Sequence, residues 1–307
     1  MSKTLLIFIF CLLLSCNQKD IPDQQSNNTP TSGKVQIAID DAYTNLFTEF
    51  VRLFQHTYTN ATVEIDYTTE TDAVSRFANG QVPLICLSRQ LTSFELKNIK
   101  ERGYYIKTIP FAADAIAFIG RADMDSTYTD EELIQILQGN TGLNKDHNQI
   151  NVVFDRNNTG TAGYIKDSIL LGKPLGANCY ALKSVSEVFD YIKNNNNVIG
   201  VLAVNHISDI EDKHVQKNLS GLRIIAVSKK VTPDIYVKPD AQHIIDGSYP
   251  FLRNLYLVNG EGTSGLATGF AAFILSDIGM TIIEQIGLKP AKEPVRVIEI
   301  QKSFNNE

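Results

Sequence analysis

The chain has 307 residues, 43% of them hydrophobic, enough to bury one large core or two lobes of ordinary size. Its formal net charge is −6 and its pI about 5.5, with no tryptophan and no run of Lys/Arg. That balance argues against a nucleic-acid binder and against general recruitment to acidic membrane, so an anion has to be bound by local geometry.

The N-terminus reads as a targeting segment. Lys3 supplies a positive charge, Leu5 to Leu14 form an apolar stretch too short to span a bilayer, and Leu14-Ser15-Cys16 ends it. Leu13-Leu14-Ser15-Cys16 resembles the lipobox of bacterial lipoproteins, which are cut before the cysteine and acylated on it. The resemblance implies a signal peptide over residues 1–15 and lipidation of Cys16. An ordinary signal cut near Ser15, or a short membrane anchor, is the alternative. Residues 16–33 are polar, with Gln, Asn, Ser, Thr, Pro and Gly, and read as a flexible tether.

Of the four cysteines, Cys11 leaves with the signal, and Cys86 and Cys179 remain in the folded part. Cys86 lies in an apolar run and reads as a small buried hydrophobe; a disulfide to Cys179 is chemically permitted outside the cytoplasm. No CxxC and no Cys/His ligand spacing occurs, so neither a metal nor a cofactor is expected.

From Lys34 onward strands and helices alternate. Val35–Ile39 reads as a strand, and Asp40-Asp41 can cap a helix carrying Leu46, Phe47, Phe50, Val51 and Phe54 on one face. Val63–Tyr67 is the next strand, Thr71–Phe77 the next helix, and Pro83–Leu87 the third strand before Ser88-Arg89-Gln90-Leu91-Thr92. A helix follows from Ser93 to about Arg102. Then come a strand over Ala115–Ile119 and a helix over Asp130–Leu137. Beyond residue 180 the pattern predicts a helix at Ser186–Ile192 and strands at Val198–Leu202, Arg223–Val227 and Asn254–Val258. Two helices, Leu266–Leu275 and Ile278–Ile286, close the chain. Such alternation predicts an α/β layer architecture, in which ligands collect at the carboxyl ends of strands.

One stretch carries most of the chemistry. Val152-Val153-Phe154 reads as a strand end, Asp155 to Thr161 as a polar turn, and Tyr164, Ile165, Ile169 and Leu170 as a helix face. A small-residue turn that opens a helix points free N–H groups at the turn, and Arg156 adds a fork suited to a tetrahedral oxyanion. A capped helix with a solvated arginine is the plainer alternative.

Other motifs are weaker. Gly260 to Gly265 matches GxGxxG between a strand and a helix, but too little chain follows for a dinucleotide fold, and a flexible turn accounts for it better. There is no GxSxG, and the five histidines fall in no motif, so catalysis has no positive support and no enzyme is expected.

Several stretches together resemble the substrate-binding lipoproteins of phosphate ABC transporters, in the type II periplasmic-binding superfamily. Ser88 to Thr92 is similar to that family's Ser-Arg-Pro-Leu-Thr turn, and Asp114-Ala115-Ile116-Ala117 to its Asp-Gly-Ile-Ala strand. Arg156 to Thr161 is similar to Arg-x-x-Ser-Gly-Thr, and Tyr249 to Tyr256 to Tyr-Pro-Leu-x-Arg-x-Leu-Tyr. Leu275 to Gly279 and Gly287 to Pro290 resemble its terminal elements.

The resemblance implies a two-lobed α/β fold, each lobe a mostly parallel sheet flanked by helices, with the ligand in the interlobe cleft. Lobe one would comprise 34–113 and 240–307, and lobe two 114–239. Carried over, Arg156, Thr159, Gly160 and Thr161 would contact the ligand from lobe two. Ser88 would do so from lobe one, with backbone N–H groups near Ala42 and Tyr43. The implied function is capture of phosphate or a related oxyanion for an ABC importer, by a monomer anchored through Cys16 on the extracytoplasmic side of the cell envelope. The implied partners are permease subunits, with no nucleic acid.

This chain departs from the family where carboxylates stand near the anion, at Asp40-Asp41 and Glu70. The family's acceptor for the phosphate proton is often an aspartate at the position of Ser88. Glu70, at the end of the neighbouring strand, is the candidate replacement, with Asp40 and Asp41 as alternatives. Competing readings are a lipid-anchored binding or signalling module with another ligand and, more remotely, a phosphate-ester hydrolase.

Overall fold

Alternating apolar residues over Gly33–Asp40 form β1, and the rest of the fold is laid against it. The computed structural model describes residues 28–140, 149–155, 160–208, 212–262 and 264–293. After β1 come a 3₁₀ turn at Asp41–Tyr43, then α1 (Thr44–Thr57), β2 (Ala61–Thr68), α2 (Glu70–Ala78), β3 (Leu84–Leu87) and α3 (Ser93–Glu101). A 15-residue strand, β4 (Lys107–Arg121), leads onward. It is followed by β5 (Thr127–Thr129), α4 (Asp130–Leu137) and β6 (Asn151–Phe154). Next are α5 (Gly160–Tyr164), β7 (Cys179–Ala181), α6 (Val185–Asn194) and β8 (Val198–Ala203). Then follow α7 (Lys213–Leu219), β9 (Leu222–Ile224), β10 (Ala226–Lys229) and β11 (Thr232–Val237). The chain returns through α8 (Ala241–Ile245), β12 (Leu252–Asn259), α9 (Leu266–Ile274), α10 (Asp277–Gln285) and β13 (Lys289–Pro290).

The main sheet runs β2-β1-β3-β12-β4-β8-β6-β7, with β13 and β9 also paired to β4; β11-β10-β5 form a smaller sheet. The strands β2, β1 and β3 are parallel, as are β8, β6 and β7. Between these parallel groups, β12 and β4 run antiparallel to their neighbours. The long strand β4 joins the halves: up to Ala115 it pairs with β12, and from Ile116 with β8. Helices flank both halves, giving the expected two-lobed α/β architecture.

Burial explains why these segments pack as they do. Leu46, Phe47, Phe50 and Phe54 recur at helical spacing on α1 and all are buried. Phe54 meets Phe270 and Phe273 of α9 edge-on at 5.2 and 5.4 Å, so α1 and α9 lock together over the sheet. In the other half, β8 is buried at all six positions and reads as a continuous apolar run, the pattern of a strand covered on both faces.

Some expectations change. The strand expected at Ala115–Ile119 begins at Lys107, because residues 107–115 gain a partner only when β12 arrives from far along the chain. The single strand expected over Arg223–Val227 is two, since β9 pairs with β4 and β10 turns to the smaller sheet. The helix carrying Tyr164 to Leu170 is α5 followed by a π-helical turn, Ile165–Ile169. Cys86 and Cys179 are both free thiols; Cys86 is buried, and Cys179 donates to the Leu137 carbonyl at 3.5 Å. Cys16, Arg156 and Thr159 lie outside the described residues.

Candidate functional site in the interlobe cleft

Because β1, β2 and β3 are parallel, their carboxyl ends at Asp40, Thr68 and Leu87 fall at one end of the sheet. From each, the chain turns and offers backbone N–H groups: at Ala42 after β1, at Glu70 opening α2, and at Ser88 after β3. Lobe two brings the start of α5, Gly160 and Thr161, to the same place. A Cβ added to Gly160 would lie 2.3 Å from Ser88 Oγ and 3.3 Å from Glu70 Oε2. The lobes therefore touch there backbone to side chain, and any larger residue would have to displace Ser88.

Glu70 is 3% exposed and faces this contact. Its Oε1 accepts from the Ser88 N–H at 2.6 Å and from Ser88 Oγ at 3.2 Å. Its Oε2 lies 3.4 Å from Arg89 Nε, and Arg89 is fixed in turn by a bidentate pair with Glu95 at 2.8 and 2.9 Å. Glu95 also completes the capping box of α3 with Thr92, so one helix start anchors the arginine that holds Glu70.

Asp40 sits beside it. Its Oδ1 accepts from the Ala42 N–H at 3.0 Å and its Oδ2 from the Glu70 N–H at 3.2 Å. Burial pushes its carboxyl up to about 6; the Ala42 N–H opposes the rise, Glu70 and Asp41 add to it, and Arg253 opposes it. The Ala42 and Ser88 donors that the resemblance assigns to a ligand are thus bonded to the protein's own carboxylates.

Beneath the contact lies a second charged cluster that the sequence reading did not assign a role. Asp114 on β4 and Arg253 on β12 are register partners in the sheet. Arg253 donates through Nε to Asp114 Oδ1 at 2.6 Å and through a terminal nitrogen to Oδ2 at 2.8 Å. Tyr43 Oη accepts from Arg253 at 2.9 Å and donates to Asp114 at 3.1 Å, and Thr161 Oγ1 accepts from Arg253 at 3.4 Å. Burial disfavours the guanidinium, but Asp114 and Tyr43 more than offset this and hold it charged. Burial likewise raises the Tyr43 hydroxyl far above the usual phenol range. A signal was present: Asp114 and Arg253 are lone charges within two strongly apolar strands, and such charges are buried only when paired.

Two contacts tie the lobes further. Tyr164 Oη donates to the Leu252 carbonyl at 2.8 Å, and Asn205 Nδ2 donates to the Ala42 carbonyl at 3.3 Å. A cavity of about 550 Å³ opens beside Asn205, lined also by Asn45, Thr48, Glu49, Ser208 and Gln285. The glycine-rich turn at 260–265 is elsewhere. There Glu261 packs against Gly265 and accepts the Thr268 N–H at 2.7 Å, so a protein carboxylate caps the start of α9.

Residues 24–277 match the PBP superfamily domain. The chain belongs to the PBP superfamily. Solved structures agree on the fold. An ABC-type phosphate transport receptor from Vibrio cholerae superposes with a TM-score of 0.64 at 17% identity, over 84% of this chain and 100% of that one. A structure described as a phosphate ABC transporter substrate-binding protein with bound phosphate, from Clostridium perfringens, gives 0.67 at 19% identity, over 85% and 100%. PstS from Borrelia burgdorferi gives 0.54 at 22% identity, over 84% and 99%. No curated protein matches the chain. In this PBP fold the carboxyl-end contact between Ser88, Glu70 and Gly160 lies between the lobes, near where β4 crosses from one to the other.

Proposed function

We propose that this protein captures phosphate, or a closely related tetrahedral oxyanion, between its lobes for an ABC importer, without turning it over. The observation that carries the reading is the meeting of Ser88 and Glu70 from lobe one with Gly160 and Thr161 from lobe two at one buried point. Helix-start N–H groups and hydroxyls there suit an anion. Phosphate transport receptors named among the structural relatives support the class of ligand.

In this reading Arg156 and Thr159 complete the lobe-two half of the site with Gly160 and Thr161, and Ser88 and the Ala42–Tyr43 backbone complete the lobe-one half. Glu70 accepts a hydrogen bond from the proton that phosphate keeps at neutral pH and that sulfate lacks, so sulfate meets an unpaired negative charge. Cys16 carries the lipid that holds a monomer to the envelope, within reach of its permease.

Calorimetric titration with phosphate, sulfate and molybdate tests this. Phosphate should bind with sulfate at least tenfold weaker, in line with the several kcal/mol that an unmatched buried polar group costs. Equal affinities would remove Glu70 from the selection, and hydrolysis of a phosphate ester would make the protein an enzyme. Arg156→Ala should cost tens- to hundreds-fold in affinity, the scale of a truncated charge-assisted hydrogen bond of about 2–3 kcal/mol. Cys16→Ala should give a folded, unanchored protein; unchanged membrane association would exclude the lipid.

A further inference from the structure

The lobe-one donors of the candidate site are already in use. The Ala42 and Glu70 N–H groups go to Asp40, and the Ser88 N–H and hydroxyl go to Glu70. Two carboxylates thus stand where an incoming anion needs positive charge or donors. An anion that enters with both ionised meets two like charges in a buried setting, which is strongly unfavourable.

The two carboxylates are not equivalent. Glu70 faces a cation, Arg89, with its Oε2 3.4 Å from Arg89 Nε. Asp40 has no ion-pair partner among the described residues. The titratable and charged groups around it are Glu70 at the start of α2, Asp41 next in the chain, Tyr43 in the 3₁₀ turn, Cys86 on β3 and Arg253 on β12. Arg253 is already engaged by Asp114 through two hydrogen bonds. Of the pair, Asp40 is the group that can be neutralised at least cost.

We infer, building on the phosphate reading, that the site binds its oxyanion together with a proton from solvent that is taken up on Asp40, so that Asp40 sets the pH range of capture. In the bound state Asp40 is a carboxylic acid and becomes a donor to an anion oxygen, and its release of the Glu70 N–H frees a second donor. Glu70 keeps its contact with Arg89 and accepts a hydrogen bond from the anion's own proton. Burial raises the Asp40 carboxyl to about 6, which places the switch on the acidic side of neutrality. Capture therefore strengthens on acidification and weakens as Asp40 becomes harder to protonate.

The test compares phosphate affinity in wild type and Asp40→Asn from pH 5 to pH 8.5. The ligand titrates identically with both proteins, so its own protonation cancels in the ratio of the two dissociation constants. One linked proton predicts that this ratio rises about tenfold per pH unit above pH 6 in the direction of weaker wild-type binding, and levels off below. Calorimetry of the wild type in two buffers of different ionisation enthalpy should show proton uptake on Asp40 beyond that of phosphate itself, and this measurement does not depend on the variant folding. A constant ratio, or no such uptake, overturns the proton linkage while leaving phosphate capture intact. Failure of both proteins to bind phosphate at any pH overturns the phosphate reading, and this inference with it.

Discussion

Two buried charge clusters lie close together in this molecule and are built on opposite principles. In the Asp114–Arg253–Tyr43 cluster every charge faces its opposite, and a hydroxyl fills the remaining hydrogen-bonding position. In the Asp40–Glu70 cluster two carboxylates sit side by side and are held mainly by backbone N–H groups, with one arginine reaching Glu70 from outside. The first arrangement needs nothing more. The second is stable only while its donors stay with the protein, so a competing anion or a change of pH can reorganise it. Paired charge at a lobe crossing therefore reads as scaffold, and like charge at strand ends reads as working site.

Breaking the scaffold cluster should have the largest effect. Arg253→Met leaves Asp114 buried without its counter-charge, and should cost on the order of 3–5 kcal/mol of folding stability, read as a fall in the urea midpoint. A loss below about 1 kcal/mol would mean that Asp114 does not depend on Arg253.

The working cluster should show itself through pH. Asp40's carboxyl, raised from 3.8 to about 6, holds its proton more tightly in the folded chain than in the unfolded one. Its contribution to stability is thus fully present below about pH 4 and is lost as pH rises through about 6. Asp40→Asn removes that loss, so its stability relative to wild type should improve by on the order of 3 kcal/mol between pH 4 and pH 7. A difference independent of pH would contradict the assignment.

Two smaller changes sharpen the lobe contact. Gly160→Ala sets a methyl 2.3 Å from Ser88 Oγ, so the serine or the lobe contact must shift. Phosphate affinity should fall about tenfold or more, the overpacking cost of about 1–3 kcal/mol, with little change in unfolding of either lobe. Asn205→Ala removes the long contact to the Ala42 carbonyl together with an amide oxygen that is buried without a partner, so its effect should stay within about 1 kcal/mol.

What the sequence made legible follows this same division. The strands and helices of lobe one were readable because each buries its own apolar face: Phe47, Phe50 and Phe54 announce α1 with no knowledge of what they pack on. The family resemblance points to Ser88 and Gly160, and its place at a strand end points to Glu70; the fold brings the three together. The extent of β4 was not readable, because residues 107–115 become a strand through partners on β12. Nor was the Asp114–Arg253 pair, since each charge alone looks like an interruption of an apolar strand. Asp40 and Glu70 stand out as carboxylates at strand ends, but their turning inward onto the Ala42, Glu70 and Ser88 donors does not, for a related reason. A loop carboxylate near a helix start looks the same in sequence whether it faces water or turns inward.

The placement of β12 has a consequence for how the molecule comes into being. It lies between β3 and β4, antiparallel to both, so it fills a gap between two strands made long before it. Asp114 and its arginine are 139 residues apart. A growing chain that has reached the end of β11 therefore carries two facing unpaired strand edges and a carboxylate without its cation. Contacts of such long sequence separation form slowly and late. A strand made late closes the lobe begun first, so a nascent chain exposes these edges until β12 has been made.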